Sequence, residues 1–106
     1  MRMPETIVWN TAGAEQNKQL VPEGKRGFFT CKPKETTANT TTAKFYSGTA
    51  NTDPQVGFSF MFSTFRGFHD HSKVPFAFRD GLYAECDRND QDFIVHVWID
   101  TTCFHV

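Results

Sequence analysis

The sequence predicts an all-β fold, a compact single-domain β-sandwich or barrel of short antiparallel strands. Apolar and polar residues alternate with a period of two wherever the chain is patterned, and no segment shows a helical period. Glycines that favour turns separate these segments, at Gly24, Gly48, Gly67 and Gly81. Short strands with such turn signals are typical of jelly-roll and immunoglobulin-like sandwiches and of barrels, so the strand order stays open.

The first half of the chain contains four predicted strands, at residues 5–9, 18–22, 26–32 and 43–47. Turn-prone sequence follows the first strand, and Pro22 stops the second because proline cannot donate to a sheet ladder. The threonine-rich stretch 35–42 is typical of an exposed loop or a polar edge strand.

The clearest alternation lies in residues 56–62, where apolar side chains occupy every second position. Such a period predicts a strand with one face in the core. The residues that share this face are Val56, Phe58, Phe60 and Phe62.

Residues 74–100 predict a β-meander. Strand-like segments at 75–78, 82–87 and 93–98 are separated by an Asp80-Gly81 turn and by the polar run 87–92. That polar run lacks the glycine and the terminal glutamate of an EF-hand calcium loop, so we interpret it as a solvated hairpin turn.

The length of 106 residues predicts one β domain over residues 1–106, with residues 1–5 and 101–106 as possible contact arms. The formal net charge of −1, with both signs interleaved, argues against a nucleic-acid surface. No apolar run approaches the roughly 20 residues of a membrane-spanning helix, and no signal peptide opens the chain. Three cysteines without a C-x-x-C pair predict buried free thiols in a protein made in a reducing cytosol.

Candidate chemistry is sparse. His69 and His71 share one face if their segment is a strand and could hold a metal, as in the cupins, but the glutamate that follows in cupins is missing. Cys86 and Cys103 lie in segments near His96 and His105, without a motif that pairs them. We therefore predict no catalytic residues, no cofactor and no metal, with His69 and His71 as the weak candidates for a metal site.

Four aromatic residues could form a platform on which sugar rings stack, although packing in a core or an interface is the commoner use of such side chains. They are Trp9, Tyr46, Tyr83 and Trp98.

The layout of the chain resembles a group of small tailed-bacteriophage virion structural proteins. The likeness lies in the opening strand at residues 6–10, the middle Val-x-Phe-x-Phe strand, the block from Val74-Pro75-Phe76 to Gly81-Leu82-Tyr83, and the closing strand at 95–98. The resemblance implies a capsid decoration, or cement, protein of the virion, which assembles in the host cytoplasm. It also implies a homo-oligomer, with a trimer favoured, that binds the major capsid protein or other virion proteins and is not an enzyme.

Twelve phenylalanines are more than one side of the strands can hold, which predicts apolar contact surface. The candidate interface residues are Met3, Trp9, Phe65, Phe68, Phe76 and Phe104. Two alternatives stay open: a carbohydrate- or receptor-binding module of a tail or fibre, and a cupin-like protein that binds a metal through His69 and His71.

Overall fold

The computed structural model describes residues 5–34, 41–57, 60–62 and 75–100. A short 3-10 turn at Gly13–Gln16 joins the first two strands, and the described residues contain no α-helix. The strands are β1 (Glu5–Asn10), β2 (Asn17–Val21), β3 (Gly27–Pro33), β4 (Thr41–Tyr46), β5 (Phe60–Phe62), β6 (Phe76–Phe78), β7 (Leu82–Cys86) and β8 (Asp92–Ile99).

These strands form two four-stranded antiparallel sheets. The first sheet has the order β1-β8-β3-β6 and the second has the order β2-β7-β4-β5. The antiparallel pairs are nested, from β4–β5 through β3–β6 and β2–β7 to β1–β8, and successive pairs alternate between the sheets. This is the connectivity of a jelly roll, a long hairpin wound into two layers. The predicted β-sandwich is confirmed, with the jelly-roll order among the predicted alternatives.

The predicted meander over residues 74–100 is wrong. β6 and β8 lie in the first sheet, whereas β7 lies in the second, so both connections cross between layers. The polar run 87–92 is therefore an arch between sheets and not a hairpin turn. Local periodicity marks each strand but carries no information about which sheet it joins, since pairing partners are distant in sequence.

The core fills the space between the sheets with aromatic side chains. Phe29 of the first sheet and Phe45 of the second are fully buried, with ring centroids 4.7 Å apart. Trp9 lies 5.1 Å from Phe93, its neighbour in the first sheet, and 6.1 Å from Phe45 of the second sheet. Because each buried aromatic contributes about 1.5–3 kcal/mol, this cluster accounts for a large share of the fold's stability.

Two buried cysteines complete the core. Cys31 and Cys86 are free thiols, as the cysteine count predicts, while Cys103 lies outside the described residues. Burial raises the pKa of both thiols, that of Cys86 to about 11, so neither is a reactive thiolate near neutral pH.

The predicted strand over residues 56–62 is only partly correct. β5 begins at Phe60, and Gly57 has a φ of +70°, a left-handed conformation that interrupts an extended chain. Val56 nevertheless points into the core, where it is 8% exposed. The alternation thus correctly predicts that Val56 is buried, but Val56 lies before β5 and not within a strand.

The Asp80-Gly81 corner joins the turns at one end of the sandwich. Asp80 accepts a hydrogen bond from the Gly24 amide at 2.7 Å, and the Gly81 amide donates to the carbonyl of Lys25. Gly81 has a φ of +83°, and a Cβ there would lie 2.9 Å from the carbonyl oxygen of Pro22. This corner therefore needs glycine for both its dihedral angle and its close backbone approach.

Candidate functional site

The outer surface of the first sheet carries an unusual number of apolar side chains. Val8 and Phe28 are 53% and 49% exposed, and they are the large hydrophobic residues that the described part of the chain leaves most open. Strand register places Val8 beside Ile94, and Phe28 between Trp98 and Ala77. We call this set the apolar face; its members are Val8, Phe28, Ala77, Ile94 and Trp98.

A row of small polar residues crosses the apolar face between its two apolar rows. Register aligns Thr6, His96 and Thr30, and the Thr6 hydroxyl shares a 3.2 Å hydrogen bond with Nδ1 of His96. Thr30 is only 2% exposed, and its hydroxyl has no hydrogen-bond partner among the described residues. A buried hydroxyl without a partner costs stability, so this position is unfavourable in the isolated chain.

The outer surface of the second sheet is hydrophilic, and we call it the polar face. It presents Gln19, Tyr46 and Tyr83 in one row and Asn17, Lys44 and Glu85 in the next. A depression of about 450 Å³ lies over the second row and is lined by Gln16, Asn17, Thr42, Lys44, Glu85, Cys86 and Asp87.

Glu85 organises the polar face. Its Oε1 accepts a hydrogen bond from the Tyr46 hydroxyl at 3.2 Å, and its Oε2 accepts one from the Asn51 amide at 2.9 Å. Burial raises the pKa of Tyr46, and the neighbouring Glu85 carboxylate raises it further. The ring of Tyr83 lies beside that of Tyr46, with centroids 6.4 Å apart.

Trp9 is not available as an interface residue in this fold. It is 0% exposed, and its indole nitrogen donates a 2.6 Å hydrogen bond to the carbonyl of Glu15. Phe76 is half-buried and packs against the core beside Phe29. The other predicted interface residues, Met3, Phe65, Phe68 and Phe104, lie outside the described residues.

The four-residue aromatic platform does not form. Trp9 and Tyr46 are buried, whereas Trp98 and Tyr83 lie on the outer surfaces of different sheets, with the core between them. Residue type alone could not reveal this, because the same aromatic pattern suits an inner or an outer surface. Trp98 belongs to the apolar face, and Tyr83 to the polar face.

Sequence reasoning missed most of the apolar face, notably Val8, Phe28 and Ile94. One signal was available at Phe28-Phe29, since two adjacent aromatics in a strand must lie on opposite sides. The same holds for Val8-Trp9. Once Trp9 and Phe29 are assigned to the core, their neighbours become surface residues.

The catalytic and metal hypotheses find no support in the described residues. Cys86 points into the core from the second sheet, whereas His96 lies on the outer side of the first, so the two do not meet. In the described ranges, no three His, Cys, Asp or Glu side chains are grouped to hold a metal ion. His69, His71 and His105 lie outside these ranges.

The arch at residues 87–92 contains a surface ion pair. Arg88 donates two hydrogen bonds to the carboxylate of Asp90, at 3.0 and 2.9 Å. This contact lowers the pKa of Asp90 to about 2.

Comparisons with family models, curated proteins and solved structures found no match to the chain. Within the described ranges, no helix is long and apolar enough to cross a membrane.

Proposed function

We propose that this protein is a non-enzymatic structural protein of a tailed-phage virion, a capsid decoration protein that docks through the apolar face. The observation that carries the proposal is the exposure of Val8 and Phe28 on the outer side of an antiparallel sheet. Such a sheet buries one side and normally presents polar residues on the other. An exposed apolar group of this kind marks a surface that binds protein.

The size of the apolar face suits a modest contact that is repeated many times. Four strands lie about 4.8 Å apart, and the four-residue step along β8 from Ile94 to Trp98 covers about 13 Å. The patch is therefore on the order of a few hundred Å², below the roughly 800 Å² per partner of a standard stable interface. An oligomeric cement protein compensates for a small contact by multivalency, because its linked copies bind neighbouring sites of one lattice.

The chemistry of the apolar face predicts binding that depends little on salt. Lys32 and His96 are the ionisable groups among its rows, and neither forms an ion pair among those found in the described residues. Burial of Phe28 and Trp98 against a capsid would supply most of the free energy of docking.

Co-sedimentation with assembled heads of the phage that encodes the protein tests this proposal. Wild-type protein should pellet with heads and should not bind unassembled capsid subunits. Phe28→Ser should weaken binding at least about tenfold, because it removes a side chain worth about 1.5–3 kcal/mol when buried. Tyr83→Ser, a similar truncation on the polar face, is the matched control and should bind normally. Wild-type protein that stays in the supernatant with intact heads would contradict the proposal.

Saccharide binding on the polar face is a second candidate function. The observation that favours it is the 450 Å³ depression beside the Tyr46-Glu85-Asn51 network. Amide, carboxylate and hydroxyl groups next to aromatic rings are suited to sugar hydroxyls and ring faces, and lectin domains are among the jelly-roll proteins. A glycan array tests it: hits that are lost in Tyr83→Ala and kept in Phe28→Ser would support it, and an array without hits would refute it.

A further inference from the structure

We propose that β1 is a dimerisation edge, which pairs antiparallel with β1 of a second copy of this chain around Val8. This inference is independent of capsid docking. It rests on the two-layer fold, which leaves β1 and β6 at the edges of the first sheet and β2 and β5 at the edges of the second.

Among these four edges, β1 is the longest regular one. β5 and β6 have three residues each in the described structure, too few to template another strand strongly. β2 has five residues, but its register is interrupted between Gln19 and Val21. An irregularity of this kind is one of the ways in which proteins prevent pairing at an edge. β1 has six residues in continuous register with β8.

The direction of the β1 backbone groups follows from the contacts that flank the strand. The Thr11 amide donates to the carbonyl of Gln91 at 2.9 Å, so the backbone N–H and C=O of Thr11 point towards β8. In a strand, the backbone N–H and C=O groups of every second residue point the same way, so those of Ile7 and Trp9 also point towards β8. The backbone groups of Thr6, Val8 and Asn10 therefore point to the open edge.

A hydrogen bond on the β3 side of β8 confirms this assignment of backbone directions. The Lys34 amide donates to the carbonyl of Asp92 at 2.9 Å, so the backbone groups of Asp92 point towards β3. They do not point towards Asn10, which is its register partner in β1. No backbone partner faces the outward groups of Thr6, Val8 and Asn10 in the described part of the chain.

The open edge of β1 also lacks the usual protection. The strand contains no proline, lysine or bulge, and its one charged residue, Glu5, is at the end. Thr6, Val8 and Asn10 are all exposed. A regular, exposed edge with a β-branched residue at its centre is the type of strand that pairs with another chain.

A second copy is the occupant that fits this edge best, because β1 is complementary to itself. Antiparallel pairing about a two-fold axis at Val8 places Val8 opposite Val8, Thr6 opposite Asn10 and Glu5 opposite Thr11, with no like charges in register. The three outward residues of each copy would exchange roughly six backbone hydrogen bonds.

Pairing at β1 also extends both sides of the sheet. On the outer side, Val8 and Ile94 of one copy continue into the same row of the other, so that two apolar faces join. On the inner side, an apolar groove of about 310 Å³ runs between β1 and β2, lined by Ile7, Leu20, Val21, Pro22 and Ile99, with Glu5 and Lys25 also at its surface. A second copy along β1 would lie across this groove and shield its apolar lining from water.

The contact is isologous and closes at two copies, in contrast to the trimer that the phage resemblance implies.

Light scattering coupled to size exclusion tests the proposal on the full chain. Wild-type protein should have the mass of a dimer at high concentration. Val8→Pro should give a monomer, because it removes the central outward amide while leaving the β1–β8 hydrogen bonds in place. Val8→Lys should do the same by placing two positive charges opposite each other. Phe28→Ser, on the outer side of the sheet, should keep the dimer mass. A monomeric wild type, or a dimer insensitive to both Val8 substitutions, would overturn the proposal.

Cross-linking provides a positive test that does not depend on a disruptive variant. Residues in a hydrogen-bonded antiparallel pair have Cα atoms about 5.5 Å apart, within the range for a disulfide. In a Cys103→Ser background, Val8→Cys should form a covalent dimer with oxidised glutathione, while the exposed control Phe28→Cys should not. Equal cross-linking of both variants, or none in Val8→Cys, would refute pairing at β1. Head binding is measured separately, so failure of either proposal is distinguishable from failure of the other.

Discussion

The two outer faces of the sandwich differ although the same alternation of residues builds both. On the first sheet the alternate positions hold the apolar side chains of Val8, Phe28 and Trp98. On the second sheet they hold Tyr46 and Glu85, joined by a hydrogen bond that extends to Asn51. Both inner faces are apolar because the core requires it, whereas nothing in folding requires an apolar outer face. Folding alone therefore does not account for the difference between the outer faces.

The largest expected effect is a difference in stability loss between substitutions on the inner side and on the outer side of β3. Phe29 and Phe28 are adjacent, but Phe29 is 0% exposed and Phe28 is 49% exposed. Phe29→Ala should lower the free energy of unfolding by about 3–5 kcal/mol through cavity formation, and Phe28→Ala should change it by less than about 1 kcal/mol. Urea denaturation followed by circular dichroism measures both. Equal losses would mean that the apolar face is covered within the free protein.

A smaller effect is expected from the network of the polar face. Glu85→Gln keeps the shape of the side chain but replaces the carboxylate, whose two oxygens accept from Tyr46 and from Asn51, with a neutral amide that has a single acceptor oxygen. We expect a loss of about 1 kcal/mol in the free energy of unfolding, because hydrogen bonds to charged groups are stronger than neutral ones. Thr42→Ser, nearby on the same sheet, should have less effect. If Glu85→Gln is neutral, the network does not stabilise this face.

Removal of the buried hydroxyl on the apolar face is expected to raise stability, whereas the two preceding substitutions lower it. Thr30→Val preserves the shape of the side chain and removes a hydroxyl that lacks a hydrogen-bond partner. The variant should be more stable than wild type by up to about 1 kcal/mol in thermal denaturation. A destabilised variant would show that the hydroxyl is satisfied in the free protein.

The smallest effect concerns pH. The pKa of Tyr46 is raised from its ordinary value of 10.0, first by burial and then by Glu85. Above about pH 10 the native state therefore holds a proton that the unfolded state has lost, and stability falls as pH rises through the native pKa. Absorbance titration of tyrosinate should show Tyr46 ionising above its ordinary value of 10.0. Glu85→Gln should lower the pKa of Tyr46 only partly, because the effect of burial remains. An unchanged titration would exclude the carboxylate as a cause.

Strand positions were largely predictable from the chain itself, whereas the candidate surfaces were not. The segment at residues 93–98 shows period two strongly, and β8 covers Asp92–Ile99. The segment at 56–62 shows it equally well, yet Gly57 adopts a left-handed conformation there. Trp9 was assigned to an interface although it is in the core, because its aromatic character suits both locations.

The sequence by itself determined that the protein is an all-β fold of short antiparallel strands, with glycine at a corner such as Gly81 where a side chain cannot fit. Period two also determined which residues of each strand lie on a common side. The tertiary structure alone decided which side is buried and which strands are neighbours. The contact between Thr6 and His96 joins residues 90 positions apart. Such pairings depend on how two sheets pack around one core, and a local pattern contains no record of that choice.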